Sequence, residues 1–407
     1  MRTLLHGGQV FDARSGDVAS ADVVLEDGLI ADVGPGLDGD DGVDCTGRTL
    51  LPGLFDCHTH VTFSDVNQLR RLQSPFSYQY YEAMLNLRKT LDIGITTVRD
   101  AAGADLGVKQ AVADGLIAGP RMQISISMIS QTGGHGDSWM VCGGEMRFGV
   151  GAGHPGKPRG IVDGPEEMRR KVRELIRAGA DVIKVATSGG VLSPRDDPRH
   201  GHFRDDELEV LVREATAAGR FVMAHAQATD GIKAAIRAGI RSIEHGIYLD
   251  DEAIEMMLAS GTWLVPTLVA PRGVIDAAAA GMPINPYVLQ KAEMVIGAHD
   301  ESVRQAIEAG VKVAMGTDSG VAPHGDNLRE LELMVARGMT PAQALSATTL
   351  SAAELMGLDE ELGSLEPGKR GDVVVLRGDP LDVTTLAERV EQVWKDGVLA
   401  VHHEPAA

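Results

Sequence analysis

The sequence predicts an α/β protein: a parallel (β/α)8 TIM barrel with a small β-sandwich domain built from the N- and C-terminal segments. Three observations carry that expectation. The chain has 407 residues, enough for one large domain of about 250 to 300 residues and a smaller one. Both ends read as short strands separated by turns. Between them a unit recurs: a helical stretch, a glycine, a few residues, then a short apolar or β-branched run. An open doubly wound sheet is the main rival for such alternation, and the count of eight strands favours the barrel.

The N-terminal elements are TLLHGGQVFDA, ADVVLEDGLIADVG and GVDCTGRTLLPG. Their apolar runs alternate with turns, as β-hairpins do, and Glu26-Asp27-Gly28 marks one turn. Residues 363–402 repeat the style in GSLEPGKRGDVVVLRGDP and VEQVWKDGVLAVHH, with Asp396-Gly397 as a turn. Two β-rich ends around one continuous middle place the small domain at residues 1–52 and 360–407 and the barrel at 53–359.

LLPGLFDCHTH supplies the first barrel strand. Seven more follow Gly94, Gly119, Gly179, Gly219, Gly239, Gly261 and Gly310. Each glycine is expected to cap its helix in the left-handed conformation, where a side chain is strained. The helix before Gly179 has a matching start: Asp163 as N-cap, Pro165 in the first turn, and Glu166 and Glu167 at the positive end of the macrodipole. The interval from Gly119 to Gly179 is far longer than the others. It holds SQTGGHGDSWMVCGGEMRFGVGAGHPGKPRG, which a barrel would lay over its C-terminal face, where chemistry is usually placed.

Composition excludes several functions. Lys+Arg 38 against Asp+Glu 58 gives a net charge of −20, which repels nucleic acid and anionic lipid. The sequence has no apolar run near the roughly 20 residues of a membrane span, and its opening lacks the pattern of a secretory leader, so a cytoplasmic location is expected. Cys45, Cys57 and Cys142 include no C-x-x-C pair. They make neither a disulfide framework nor a thiolate zinc site, so any metal must be held by nitrogen and oxygen.

Parallel strands buried on both faces should be almost wholly apolar, so ionisable residues in them need a reason. His58 and His60 close the first strand two residues apart, on one face of an extended chain. Lys184 sits within the fourth strand, His225 ends the fifth, His245 the sixth and Asp318 the eighth. Singly, each fits a hydrogen-bonded core residue or a turn. Together, six such residues at the strand ends of one barrel suit Zn²⁺ or a neighbouring first-row ion. An ammonium repels a metal, but burial among Val182, Ile183, Val185 and Ala186 should favour the neutral amine of Lys184. Such an amine can take up CO₂, and the carbamate offers two oxygens able to bridge two cations.

These segments, LPGLFDCHTH, VIKVATSGG, VMAHAQATDGIKAAIRAGIRSIEHG and MGTDSG, resemble the metal-dependent amidohydrolase superfamily, specifically its imidazolonepropionase- and prolidase-like branch. The resemblance spans nearly the whole chain. It implies two divalent metal ions, usually zinc. His58, His60 and Asp318 would hold the first, His225 and His245 the second, and carboxylated Lys184 would bridge them. It further implies attack on an amide carbonyl by a metal-bridging hydroxide, with Asp318 relaying the proton to the leaving nitrogen. His135, in QTGGHGD, matches a histidine of this branch that helps polarise the scissile carbonyl. Symmetric assembly is common in the family, so a homo-oligomer is expected.

The resemblance points first to a C–N hydrolase acting on Xaa-Pro dipeptides or N-acyl amino acids. The alternative keeps the centre but acts on xenobiotic amides, carbamates, phenylureas or ochratoxin-type amides. A mononuclear deaminase or cyclic imidazolone hydrolase would generally lack Lys184, and a non-catalytic binding protein should have lost ligands that are all present. One departure is local: related dipeptidases often read His-Ala-Tyr where this chain has His225-Ala226-Gln227. In PRDDPRHGHFRDD, Arg195 and Arg199 could pair with a substrate carboxylate. The more ordinary reading is a solvated charged loop with Asp196 and Asp197, in which His200 and His202 lie at the surface. Phe76, Tyr78, Tyr80 and Tyr81 cluster after the first strand, as substrate contacts or as part of a subunit interface.

Overall fold

The computed structural model describes residues 2–139, 154–193 and 195–404. Cys142 and the centre of the long loop lie outside the described residues. The two ends of the chain do meet in one sheet of six strands, ordered Val398–His402, Val390–Lys395, Val373–Arg377, Arg48–Pro52, Gln9–Phe11 and Val18–Ser20. The junction is the antiparallel pairing of Val373–Arg377 with Arg48–Pro52. A second sheet of four strands runs Leu29–Gly34, Asp22–Glu26, Arg2–His6, Asp41–Asp44. Val373, Val375 and Trp394 of the first sheet share one buried cluster with Leu5, Val23, Leu25 and Ile30 of the second.

Both expected Asp-Gly turns form, with two consecutive left-handed residues each: Asp27 and Gly28 at φ 51° and 83°, Asp396 and Gly397 at φ 50° and 71°. That geometry matches the twist of the flanking strands. The two turns also touch, since a Cβ on Gly397 would lie 3.0 Å from Gly28 Cα.

In the middle of the chain, strands alternate with helices and pair in parallel. Leu54–Thr59, Ile95–Asp100 and Arg121–Ile124 form one sheet. Met128–Ile129, Val182–Ala186, Phe221–Ala226, Ser242–His245 and Trp263–Val265 form another. The expected third strand is therefore split, and Ile126 at φ 69° breaks it. The expected eighth strand is reduced to bridges. Val313 bridges Leu264, Ser319 bridges Thr59, and Met315 O accepts from Cys57 N–H at 2.9 Å. Residues 313–319 thus contact both the last regular strand and the first.

The apolar sides of these strands pack on the surrounding helices. Val98, Ile183, Val185, Ile243 and Leu264 join Leu87, Val172, Leu175, Leu208 and Ile232 in one buried cluster, each side chain contributing about 1.5–3 kcal/mol. Six of the seven capping glycines have φ between 67° and 99°. Gly119 does not. The helix Leu106–Ala113 ends earlier and Gly115, at φ 71°, takes the left-handed position. Gly119 is instead pressed against Leu87, whose Cβ would lie 2.9 Å from an added Cβ. Asp163 is not the N-cap of Pro165–Arg177 either: Gly164 is, and the Asp163 carboxylate accepts from Thr132 N and Oγ1 at 3.1 and 2.6 Å. Glu166 and Glu167 do occupy the first turn. Among the described residues, no helix is long and apolar enough to cross a membrane.

Candidate metal centre

All seven residues singled out from the sequence line one cavity of about 450 Å³: His58, His60, His135, Lys184, His225, His245 and Asp318. His58, Lys184, His225 and His245 come from four strands, and parallel pairing brings their ends to one side; His135 enters from the long loop. His58 lies in Leu54–Thr59 with His60 just beyond it, and Asp318 reaches them because its backbone N–H donates to His58 O at 2.7 Å. His58, His60 and Asp318 each offer one ligand atom, all within 4.8 Å of one another. Asp318 Oδ1 is 3.0 Å from His60 Nε2 and 3.5 Å from His58 Nε2. Lys184 Nζ is 3.3 Å from His58 Nε2. The His245 ring lies 5.1 Å from that of His58 and 4.5 Å from that of His225.

Hydrogen bonds fix how the imidazoles are presented. His60 Nδ1 must donate to Ala102 O at 2.7 Å, because a carbonyl only accepts. His225 Nε2 likewise donates to Gly189 O at 3.1 Å, leaving Nδ1 as its lone pair. His58 Nδ1 lies 2.8 Å from Glu244 Oε2, and His245 Nδ1 2.7 Å from Thr267 Oγ1. His245 and Asp318 hold φ of 74° and 58°, a strained backbone of the kind that gathers at functional sites.

Burial and mutual repulsion push His58, His225 and His245 well below the usual histidine range, so they are neutral donors. Burial also brings Lys184 down to about 8, which makes its neutral amine accessible. Burial opposes the Asp318 charge, but His58 and His60 together hold that carboxyl well below its ordinary value. His60 is half-buried, and although burial lowers it, its bond to Asp318 raises it. A cation between His60 and Asp318 would replace the proton they now share. Neutral imidazoles, an ionised carboxylate and a deprotonatable amine form a donor set that fits divalent ions of the zinc type.

His135 stacks on His225 with ring centres 4.0 Å apart. Its Nδ1 lies 2.8 Å from Ser193 Oγ and 3.4 Å from Asp196 Oδ2. Asp196 is buried rather than solvated: it bonds Ser193 and pairs with Lys291 at 3.2 Å. Gly190 makes room for the stack, since a Cβ there would come within 2.3 Å of His135 and 2.8 Å of His225. His202 is buried too, its backbone N–H donating to Thr187 O at 2.7 Å. Neither Arg195 nor Arg199 lines the cavity. Arg195 stacks over Trp139 and Arg199 pairs with Asp197. The aromatic cluster divides: Phe76 and Tyr80 contact His154, which lines the cavity, while Tyr78 and Tyr81 face solvent.

Several residues behind the centre escaped the sequence reading. Glu244 is fully buried, contacts His58 and pairs with Arg99 at 3.0 Å. Asp56 accepts from Thr317 Oγ1 at 2.6 Å and Asn327 Nδ2 at 2.8 Å, joining the segments that carry His58 and Asp318. Asp100 accepts from Val61 and Ala104 N–H and fixes the turn after His60. The signal that points to the candidate ligands, an ionisable residue in a buried strand, applies equally to Arg99, Asp100 and Glu244.

Residues 49–400 match the amidohydrolase family. This chain belongs to the amidohydrolase family. It is 37% identical over 420 residues to the ochratoxinase of Aspergillus niger, covering 98% of this chain and 86% of that one. It is 25% identical over 389 residues to the imidazolonepropionase of Geobacillus kaustophilus, covering 88% and 84%. A crystal structure of a Xaa-Pro dipeptidase with methionine in its active site superposes with a TM-score of 0.89 at 33% identity, covering 99% of this chain and all of the other. The fold is accordingly the TIM-barrel fold of an amidohydrolase, and the protein is a hydrolase of amide bonds.

Proposed function

We propose that the cavity holds a binuclear metal centre, of zinc or a similar ion, that cleaves a non-cyclic amide in Xaa-Pro-type dipeptides or N-acyl amino acids. The observation that carries this reading is the convergence of His58, His60 and Asp318 within 4.8 Å, beside His225, His245 and Lys184 in one cavity. His58, His60 and Asp318 would hold one ion, His225 and His245 the other, and Lys184, carboxylated by CO₂, would bridge them. When bound, such ions supply an activated water and polarise the scissile carbonyl.

The chain's own groups do the rest. Asp318 accepts the proton of the attacking water and delivers it to the leaving nitrogen. His135, held by Ser193 and Asp196, donates to the carbonyl oxygen as negative charge develops there. Glu244 and Arg99 keep His58 in the tautomer whose Nε2 faces the cavity.

Residues 53–359 would then form a closed eight-stranded barrel, with 313–319 as its reduced eighth strand, and 1–52 with 360–407 a β-sandwich. A second substrate class has its own support in the 37% identity to the ochratoxinase over 98% of this chain. Gln227, where related dipeptidases often have tyrosine, argues against carrying their substrate preference over directly. On that second reading the substrate is a xenobiotic amide.

The test is a hydrolysis panel of Xaa-Pro and other dipeptides, N-acyl amino acids, ochratoxin-type amides and phenylureas, run with zinc and bicarbonate. Chelator-sensitive cleavage of dipeptides or N-acyl amino acids supports the first reading. Cleavage confined to ochratoxin-type amides or ureas replaces it with the second, and no cleavage at all would reject both.

A further inference from the structure

The segment from His154 to Gly160 also lines the cavity, and it is held in place. Lys157 N–H donates to His154 O at 3.1 Å, and Gly160 O accepts from Ser130 N–H at 3.0 Å. Gly160 lies so close to Met128 that an added Cβ would sit 1.9 Å from its carbonyl oxygen. His154 is fixed by the Tyr80 hydroxyl at 2.7 Å and by Asp105 at 3.2 Å.

Within this segment Lys157 carries a buried Nζ that has no hydrogen-bond partner among the described residues. Asp100 and Asp105 act on it through charge alone. Their oxygens are engaged elsewhere: Asp100 with Val61 and Ala104 N–H, Asp105 with Val108 N–H and His154. An ammonium has three donors and no acceptor, and leaving all three unmade in a buried place is costly. An acceptor that enters the cavity would supply the missing partner, and an anionic one fits best.

We propose that Lys157 is the carboxylate anchor of the substrate site, so that the amides cleaved are those whose leaving amine is an amino acid with a free carboxylate. The inference rests on the amide-hydrolase reading and narrows it. It separates N-acyl amino acids and dipeptides from neutral carbamates and ureas, which offer Lys157 no charged group. A lysine suits the task, because a flexible point charge follows one carboxylate on amino acids with different side chains.

The test compares N-acetyl-L-phenylalanine and N-acetyl-L-proline with their neutral carboxamides, for wild type, Lys157→Met and Lys157→Arg in the zinc-loaded protein. Wild type should prefer the carboxylates, mainly through KM, and Lys157→Met should reduce that preference by about tenfold to a hundredfold. Lys157→Arg should restore part of it. Calorimetric binding of a reduced-amide analogue (CH₂–NH in place of the amide) to the same three proteins gives a readout independent of turnover. If wild type cleaves none of the amides, the hydrolase reading fails, and the calorimetric difference between wild type and Lys157→Met still decides the anchor. Equal treatment of carboxylate and carboxamide by wild type overturns the proposal. So does a Lys157→Met protein that keeps the preference while melting earlier, which would make Lys157 a structural counter-ion of Asp100 and Asp105.

Discussion

Glu244 shows what a residue behind the centre does. Its oxygens face His58 and Arg99, so Glu244→Gln should leave the fold standing but weaken the grip on the imidazole. Zinc affinity is expected to fall about 10–100-fold, measured by competition with a chromogenic chelator. An unchanged affinity would assign Glu244 to packing alone. His135→Ala should lower kcat by about 10²–10³ with a smaller effect on KM, because its hydrogen bond strengthens only as charge develops. A pure KM effect would make it a substrate-binding group instead. The candidate ligands were legible because imidazole, carboxylate and amine in apolar strands demand a partner. Glu244 and Arg99 obey the same rule, but they satisfy each other across 145 residues of sequence. No spacing in the chain reveals such a partner.

Between strand and helix, the connecting segments hold the site in place. Glu330 accepts from Leu268 and Val269 N–H at 2.7 and 2.9 Å, just after Thr267, which contacts His245. Burial raises the Glu330 carboxyl from 4.5 to about 8, although both N–H groups oppose the shift. The folded state therefore holds a proton that the unfolded state releases near pH 4.5. The contribution of this group is full below that pH and is lost as the pH rises towards 8. The melting temperature of wild type relative to Glu330→Gln should accordingly fall between pH 5 and 8, and a difference that rises across the window would contradict the assignment. Gly190→Ala should be destabilising by about 1–3 kcal/mol through overpacking and should also lower activity, because the new methyl group meets His135 and His225. Strand and helix identity was legible from glycine punctuation. The break at Ile126 and the thinning of the eighth strand were not, since both follow from backbone contacts with other strands.

For the molecule as a whole, the two ends were expected to join, and the six-stranded sheet joins them. Arg121 then ties that region to the strands around the cavity, pairing with Asp372 at 3.0 Å and Asp396 at 2.7 Å. Removing residues 373–407 would strip three strands from the sheet and expose the edge of Arg48–Pro52, a template for aggregation. Such a chain should be insoluble or lack a cooperative melt, and a soluble, cooperatively melting product would show that the middle of the chain folds independently. Net charge of −20 gives the expectation of no nucleic-acid or anionic-lipid partner, but composition carries no record of which groups a substrate must satisfy. Lys157, without a hydrogen-bond partner among the described residues, is visible only with the cavity around it. The proposed chemistry needs two ions acting together. The most direct measurement is the amide-hydrolysis rate of wild type titrated with zinc in bicarbonate, against metal bound per chain. The rate should rise to a plateau at two equivalents, and a plateau at one, or a rate indifferent to metal, would contradict the binuclear centre.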